Sequence, residues 1–364
     1  MQMFFRQRTP EKKQQTFFAL GLMSGTSLDG LDLCYCRFDR NEKGIWNFEI
    51  QQSTTLPYSP DWEERLRTAI HLPAEELMAL HSKYGFYLGE KTRLFIEENR
   101  INQLDVIASH GHTVHHQPHR RFTTQIGDGR AIKQTCLFPV AYDFRSQDVL
   151  MGGNGAPLVP IGDELLFHQY DACLNLGGFS NISLKSNGQR IAFDLCPVNT
   201  VLNRLAQTLG HPYDPNGQMA AEGHSCPALL EQLNQLEYYD RPLPKSLGIE
   251  WVEHYVVPLI ESEASKNALA TFTQHAAEQI AKTLRKYNLK NVLITGGGTH
   301  NENLINQIKT LAPQTSIIIP DPAIIDYKEA LIFAFMGVLR LIGENNVLAS
   351  ATGSSQDHCS GLLV

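Results

Sequence analysis

The sequence predicts a two-domain α/β protein. Three observations carry that prediction. A chain of 364 residues is too long for one ordinary core and comfortable for two. A three-strand meander with a helix-bearing continuation is written twice, beginning near residues 17 and 172. Three glycine-rich turns, Ser24–Gly30, Gly177–Asn181 and Gly296–Thr299, each follow an apolar run.

The bulk composition narrows the classes. Hydrophobic content of 42% with 19% charged residues is that of an ordinary globular protein. A formal net charge of −7 argues against nucleic acid held by bulk electrostatics, although a nucleotide needs only a few local donors. Seven cysteines are scattered without a metal-type CxxC pair; reduced core thiols in a cytoplasmic protein are expected. Cys34 and Cys36 alternate along an apolar run and are expected on one strand face. Residues 1–15 read as a disordered or frayed tail. The apolar run Phe17–Met23 is too short for a secretory signal and flows into a Gly/Ser/Thr loop. No stretch reaches the ~20 apolar residues needed to cross a bilayer, so no membrane partner is expected.

Along the chain, strands are predicted at Phe17–Met23, Leu31–Phe38 and Ile45–Gln51. Helices follow, one opened by Pro60-Asp61 and one over about Ala74–Glu98, with apolar Leu77, Leu80, Tyr84, Leu88, Leu94 and Phe95. Asp105–Ser109 is a further strand, ending in His110-Gly111-His112-Thr113. The second set brings strands at Ala172–Leu176, Asn181–Leu184 and Arg190–Phe193, the last leading into Asp194. Helices are predicted over Asn199–Leu209, Cys226–Leu236, Trp251–Ile260, Ala268–Tyr287, Asn303–Leu311 and Tyr327–Ile342, with strands Val292–Thr295 and Ser316–Ile319 between them.

Gly-, Ser- and Thr-rich turns between strands leave backbone N–H groups free to converge on phosphate oxygens. One such turn is weak evidence; three change the odds. A P-loop is excluded because no Gly-Lys-Ser/Thr end exists, and no strand runs into GxGxxG with an acid beyond it. Five histidines fall in ten residues, His110, His112, His115, His116 and His119. Zinc is rejected there, because no cysteine is close in sequence and no helical ligand pair fits.

Specific strings then carry a resemblance. Asn175-Leu-Gly-Gly-Phe-Ser-Asn-Ile-Ser-Leu184 is similar to the second phosphate loop of the actin/Hsp70/sugar-kinase superfamily. Gly21-Leu-Met-Ser-Gly-Thr-Ser-Leu-Asp-Gly-Leu-Asp32 resembles its first phosphate loop, and Ile294-Thr-Gly-Gly-Gly-Thr299 its adenosine loop. The MSGTSLDG string within the first loop resembles the anhydro-N-acetylmuramic acid kinase family. So do His110-Gly-His-Thr-Val114, Gln125-Ile-Gly-Asp128, Asp143-Phe-Arg145, Gly155-Ala-Pro-Leu-Val-Pro160 and Lys328-Glu-Ala-Leu331, in the family's order.

The resemblance implies two ribonuclease-H-like domains with a central nucleotide cleft. The limits it suggests are 16–140 plus 345–364 for the N-terminal lobe and 141–344 for the C-terminal lobe. It implies ATP-dependent opening and O6 phosphorylation of 1,6-anhydro-N-acetylmuramic acid in peptidoglycan recycling, with Mg²⁺ as cofactor and a homodimer as the assembly. Asp194, in the string Asp194-Leu-Cys-Pro-Val-Asn199, would be the catalytic base; a helix N-cap is its bland alternative. ATP would be bound by Ser24, Gly25, Thr26, Ser27, Leu28, Asp29, Gly30, Leu31, Gly177, Gly178, Asn181, Gly296, Gly297 and Gly298. The sugar would meet His110, Gly111, Asp143, Arg145, Asn199 and Glu329. Asp29 would serve the metal; a plain turn residue is the alternative. An Asp143–Arg145 salt bridge and a first-turn role for Glu329 are the structural alternatives at those positions. Leu195, Cys196 and Val198 depart from the family's loop and are expected to narrow it and shift substrate preference. A kinase of another amino sugar or anhydrosugar, and a nucleotide-binding switch without catalysis, are the competing functions.

Overall fold

The computed structural model describes residues 14–25, 28–261, 263 and 265–364. The expected tail over 1–15 therefore lies outside the described residues except for Gln14 and Gln15, and Gln15 opens the first strand. The chain divides into two compact units, Met1–Leu166 with Glu329–Val364, and Phe167–Lys328.

The first unit is built on a seven-stranded sheet. Its strands are β1 (Gln15–Ser24), β2 (Leu31–Arg40), β3 (Trp46–Leu56), β4 (Val106–Gln117), β5 (Phe122–Ile126), β6 (Val140–Tyr142) and, after the remaining strands of the chain, β12 (Leu362–Leu363). β1, β2 and β3 form the antiparallel meander, while β4 adds in parallel to β1 and β6 in parallel to β4. On one face, Leu20, Leu22 and Ile107 pack with Tyr84, Leu88 and Phe95 of the helix Ala74–Glu98. The other face receives the helix Pro322–Ile342. A Cβ on Gly21 would stand 1.9 Å from the Ala330 carbonyl oxygen, so only glycine lets helix and strand approach this closely.

The second unit repeats that order. β7 (Ala172–Leu176), β8 (Phe179–Ser186) and β9 (Gln189–Pro197) form the meander, and β10 (Asn291–Thr295) and β11 (Ser316–Ile318) add in parallel beyond β7. Both sheets thus run third, second, first strand, then the parallel additions; this is the ribonuclease-H-like arrangement. The helix Ser265–Lys286 buries Phe272, Ala276, Ala277, Ile280, Ala281 and Leu284, the i, i+4 and i+8 rows of one stripe.

Two boundaries fall elsewhere than the sequence reading put them, at 166/167 and 328/329 rather than 140/141 and 344/345. β6 is a parallel neighbour of β4, and the following segment stays with the same unit, where Gly162 abuts Ile332 and the Asn154 amide donates to Thr352. The closing helix begins at Pro322, not Tyr327. The helix expected over Trp251–Ile260 is interrupted by a π-turn at Val252–Val256, with the Val257 amide reaching back to Val252. Pro258 follows; its missing N–H and its ring disfavour a regular turn against residue 254.

Candidate active site

In the second unit the site grows from the C-terminal ends of β7 and β10, which lie side by side with Asn175 opposite Thr295. That end of a parallel pair is where open α/β sheets bind ligands. Gly296 holds φ at +87°, and a Cβ there would come 2.5 Å from Asn175 Oδ1. A Cβ on Gly298 would come 2.7 Å from that of Leu176. The Gly177-Gly178 turn sits on the start of the helix Asn199–Thr208. The Val198 and Thr200 amides donate to the Gly178 carbonyl at 2.8 and 3.2 Å, and the Asn199 amide to Gly177 at 3.2 Å. These bonds satisfy amides that a helix start leaves without partners. The turn's carbonyls are consumed, while its own amides meet no acceptor among the described residues.

A cavity of about 390 Å³ opens beside these glycines, lined among others by Asn199, Asn203, Tyr213, Gly297, Gly298 and His300. Its size falls within the roughly 300–1,000 Å³ usual for small-molecule sites. Asn203, Tyr213 and His300 were not singled out in the sequence. The one available signal was the Pro212-Tyr-Asp-Pro-Asn-Gly217 turn string that carries Tyr213.

Asp194 stands within β9, opposite Asn181 of β8, and not at the strand's end, because β9 continues to Pro197. The N-cap alternative fails, since the helix Asn199–Thr208 is capped at Val198 and Asp194 is not involved. Its Oδ2 accepts the Leu247 amide at 2.8 Å, its carbonyl accepts the Tyr238 hydroxyl at 2.8 Å, and its amide donates to the Lys245 carbonyl at 3.3 Å. Burial raises the carboxyl above its ordinary range, and the Leu247 amide opposes the shift. One oxygen is thereby fixed and the other left available on a carboxylate made more basic than usual. Leu195, Cys196 and Val198 are buried in the core of the unit. Their side chains do not reach into the loop, so the expected narrowing at these positions is corrected.

The first unit holds the other sequence-predicted residues. Thr26 and Ser27 lie outside the described residues. Ser24 ends β1 with its side chain buried: the Tyr58 hydroxyl donates to Ser24 Oγ at 2.8 Å, and Oγ meets His112 Nδ1 at 3.0 Å. Leu31 is core, Leu28 packs against that core at φ +63°, and Gly30 approaches the Leu56 carbonyl too closely for a Cβ. Asp29 is exposed. No group of three or more metal-ligating side chains exists among the described residues. A single carboxylate suits Mg²⁺, which keeps several waters and takes its remaining ligands from substrate phosphates.

Arg145 is the centre of a second group. Its Nε donates to His110 Nε2 at 2.9 Å and its Nη1 to the Gly155 carbonyl at 2.6 Å. His110 is therefore neutral, with its proton on Nδ1 toward the Gly111 carbonyl at 2.9 Å. Burial and then the guanidinium hold it well below its ordinary range. Burial also lowers Arg145 to about 10, opposed by Glu329 and Asp148, so the cation persists at neutral pH. Asp143 is not its ion-pair partner; that carboxylate accepts from the Ser146 amide at 3.3 Å. Glu329 lies two turns inside its helix, which removes the first-turn explanation for it.

A family model described as anhydro-N-acetylmuramic acid kinase matches residues 17–364. The chain is 35% identical to a protein of that name from Gluconobacter oxydans, over 79% of this chain and 83% of the relative. It is 30% identical to one from Acinetobacter baylyi, over 93% and 97%. Against one from Haemophilus influenzae the identity is 32%, over 93% and 95%. With the match running through both sheets, the glycine-lined cavity and the pinned aspartate, the chain belongs to the anhydro-N-acetylmuramic acid kinase family.

Proposed function

We propose that this chain transfers the γ-phosphoryl group of ATP to O6 of 1,6-anhydro-N-acetylmuramic acid while water opens the ring at C1. The products are N-acetylmuramic acid 6-phosphate and ADP. The observation that carries the reading is Asp194. It is a partly buried carboxylate of raised pKa, pinned by one backbone amide and set in the unit that holds the glycine-lined cavity. Such a group is suited to general-base work near neutral pH.

In the proposed step Asp194 takes a proton from water, and the resulting hydroxide bonds to C1. The C1–O6 bond breaks, O6 bonds to the γ-phosphorus, and the bond from that phosphorus to the bridging oxygen breaks to release ADP. Adenosine would occupy the cavity at Gly297, Gly298 and Tyr213, and the Gly177 and Gly178 amides would donate to phosphate oxygens. In the first unit Arg145, whose Nη2 has no acceptor among the described residues, would pair with the lactyl carboxylate, while His110 holds the guanidinium in place. Mg²⁺, supplying charge neutralisation to the phosphates, would be held at Asp29. The setting proposed is the cytoplasm, in keeping with seven unpaired cysteines.

The test is product analysis with 1,6-anhydro-N-acetylmuramic acid and Mg·ATP. The expected product gains one water and one phosphoryl group. Transfer to a different sugar alone, or nucleotide binding without transfer to any sugar, would overturn the reading.

A further inference from the structure

His112 is a buried titratable group that the mechanism above leaves unused. It faces Ser24 across the parallel β1–β4 pair, at the edge where the first phosphate loop begins. A register shift falls between Leu22 and Ser24, and Gly111 takes φ +73° opposite it. The bulge sends the two histidines to different elements. His110 packs on Phe333 with ring centroids 4.8 Å apart, and His112 lies edge-on to Tyr84 at 6.4 Å.

The hydroxyls around His112 form a directed chain. Tyr58 gives its only proton to Ser24, so the 2.6 Å contact between Tyr58 and Tyr84 must be donated by Tyr84. Taking Ser24 as the donor across its 3.0 Å contact with His112 Nδ1 completes the chain. This order uses every hydroxyl proton and leaves the imidazole proton on Nε2. Burial depresses His112 to about 4, so the ring is neutral at physiological pH. The residue is 4% exposed, yet Nε2 has no acceptor among the described residues and is not sealed among the buried unpartnered atoms.

We propose that His112 donates its Nε2–H to the terminal phosphoryl group of the bound nucleotide, and that Ser24 aims the ring and does not itself bind phosphate. The proposal rests on the reading of Ser24–Gly30 as a phosphate loop. A neutral imidazole locked in one tautomer is a fixed donor that needs no reorganisation as charge shifts onto the phosphoryl oxygens. Tyr58, Tyr84 and Ser24 together prevent the ring from flipping.

The experiment compares calorimetric affinities for ADP and for a non-hydrolysable ATP analogue, in wild type and in His112→Asn. Asparagine can place an acceptor near the old Nδ1 position but has nothing at Nε2. The expected result is a loss of about tenfold or more for the analogue with ADP unchanged, the size of a charge-assisted hydrogen bond. His112→Gln, whose amide nitrogen reaches the Nε2 position, should recover most of it. Equal weakening of both nucleotides, or of neither, overturns the assignment to His112. Wild-type protein that binds neither nucleotide overturns the phosphate-loop reading with it. Should the asparagine variant not fold, Ser24→Ala keeps the ring and removes what aims it. A smaller loss confined to the analogue is expected there, and an unchanged preference counts against the proposal.

Discussion

Asp194 differs from an ordinary surface aspartate in two ways: burial raises its pKa, and the Leu247 amide fixes one of its oxygens. Replacement by asparagine preserves an acceptor for that amide and removes only the basicity. Asp194→Asn should therefore lower kcat by about 10²- to 10⁴-fold, the usual worth of general-base catalysis. Affinity for a non-hydrolysable ATP analogue should not change. The sign of the pH effect follows from the raised pKa: the base is lost as pH falls through a value above the ordinary carboxylate range. The acid limb of kcat/KM should appear there, and a variant with full turnover would remove Asp194 from the chemistry. Short motifs singled out this residue and His110, Gly111 and Arg145, but they could not show what each side chain faces. Ser24 was read as an ATP-binding residue, and nothing in the sequence signalled that its hydroxyl meets Tyr58 and His112 from distant segments. Leu195 and Cys196 were read as loop residues, whereas β9 extends through them and turns both into the core.

At the scale of elements, turns written in local chemistry were legible and short pieces held by neighbours were not. The meanders could be read because their apolar runs and Gly or Asn turns are local signals. β6 has three residues and exists because β4 offers a parallel partner; the helix Gly129–Cys136 forms where Gly85 and Gly89 of the helix Ala74–Glu98 let it pack closely. Neither writes a period long enough to detect. Two glycines of the second unit separate turn chemistry from site chemistry. Gly188 follows Asn187 between β8 and β9 at φ +78°, with nothing within 4 Å of the place a methyl would take, so Gly188→Ala meets only backbone strain, about 1 kcal/mol. Gly296 has φ +87° and also stands against Asn175 and Leu176. Gly296→Ala should cost roughly 1–3 kcal/mol more and displace the turn that begins at Gly296. Denaturant unfolding with calorimetric nucleotide titration checks both. Only Gly296→Ala should weaken nucleotide binding, and equal binding in the two variants would detach that turn from the nucleotide.

Across the whole molecule, histidines held neutral by burial govern how folding responds to mild acid. Three of them are most deeply buried, and His81 and His116 add in the same sense. His110 and His112 in the first unit and His275 in the second are held neutral chiefly by burial, His112 at about 4 and His275 at about 3. His275 is fixed on both sides, Nδ1 against Asn234 Oδ1 at 2.8 Å and Nε2 against the Tyr239 hydroxyl at 2.7 Å. In the unfolded chain all three titrate near 6.5. Below that pH the unfolded state binds protons that the folded state refuses, so their contribution is fully present above 6.5 and is lost as pH falls. The loss approaches about 1.4 kcal/mol per pH unit for each histidine once the unfolded group is fully charged. It levels off only below the folded values. Asp194 acts in the opposite sense, because its raised carboxyl takes up a proton more readily folded than unfolded, but it is one group against three. Arg130 holds Asp128 below the ordinary carboxylate range, and that contribution is lost only under stronger acid. Between pH 6.5 and 5 the histidines should therefore dominate, and the thermal midpoint should fall steadily across that window. In His275→Gln, one proton-refusing site is gone, so the midpoint should start lower and descend less steeply. A midpoint flat from pH 7 to 5, or an unchanged slope in the variant, would mean that these imidazoles exchange protons with solvent in the folded state.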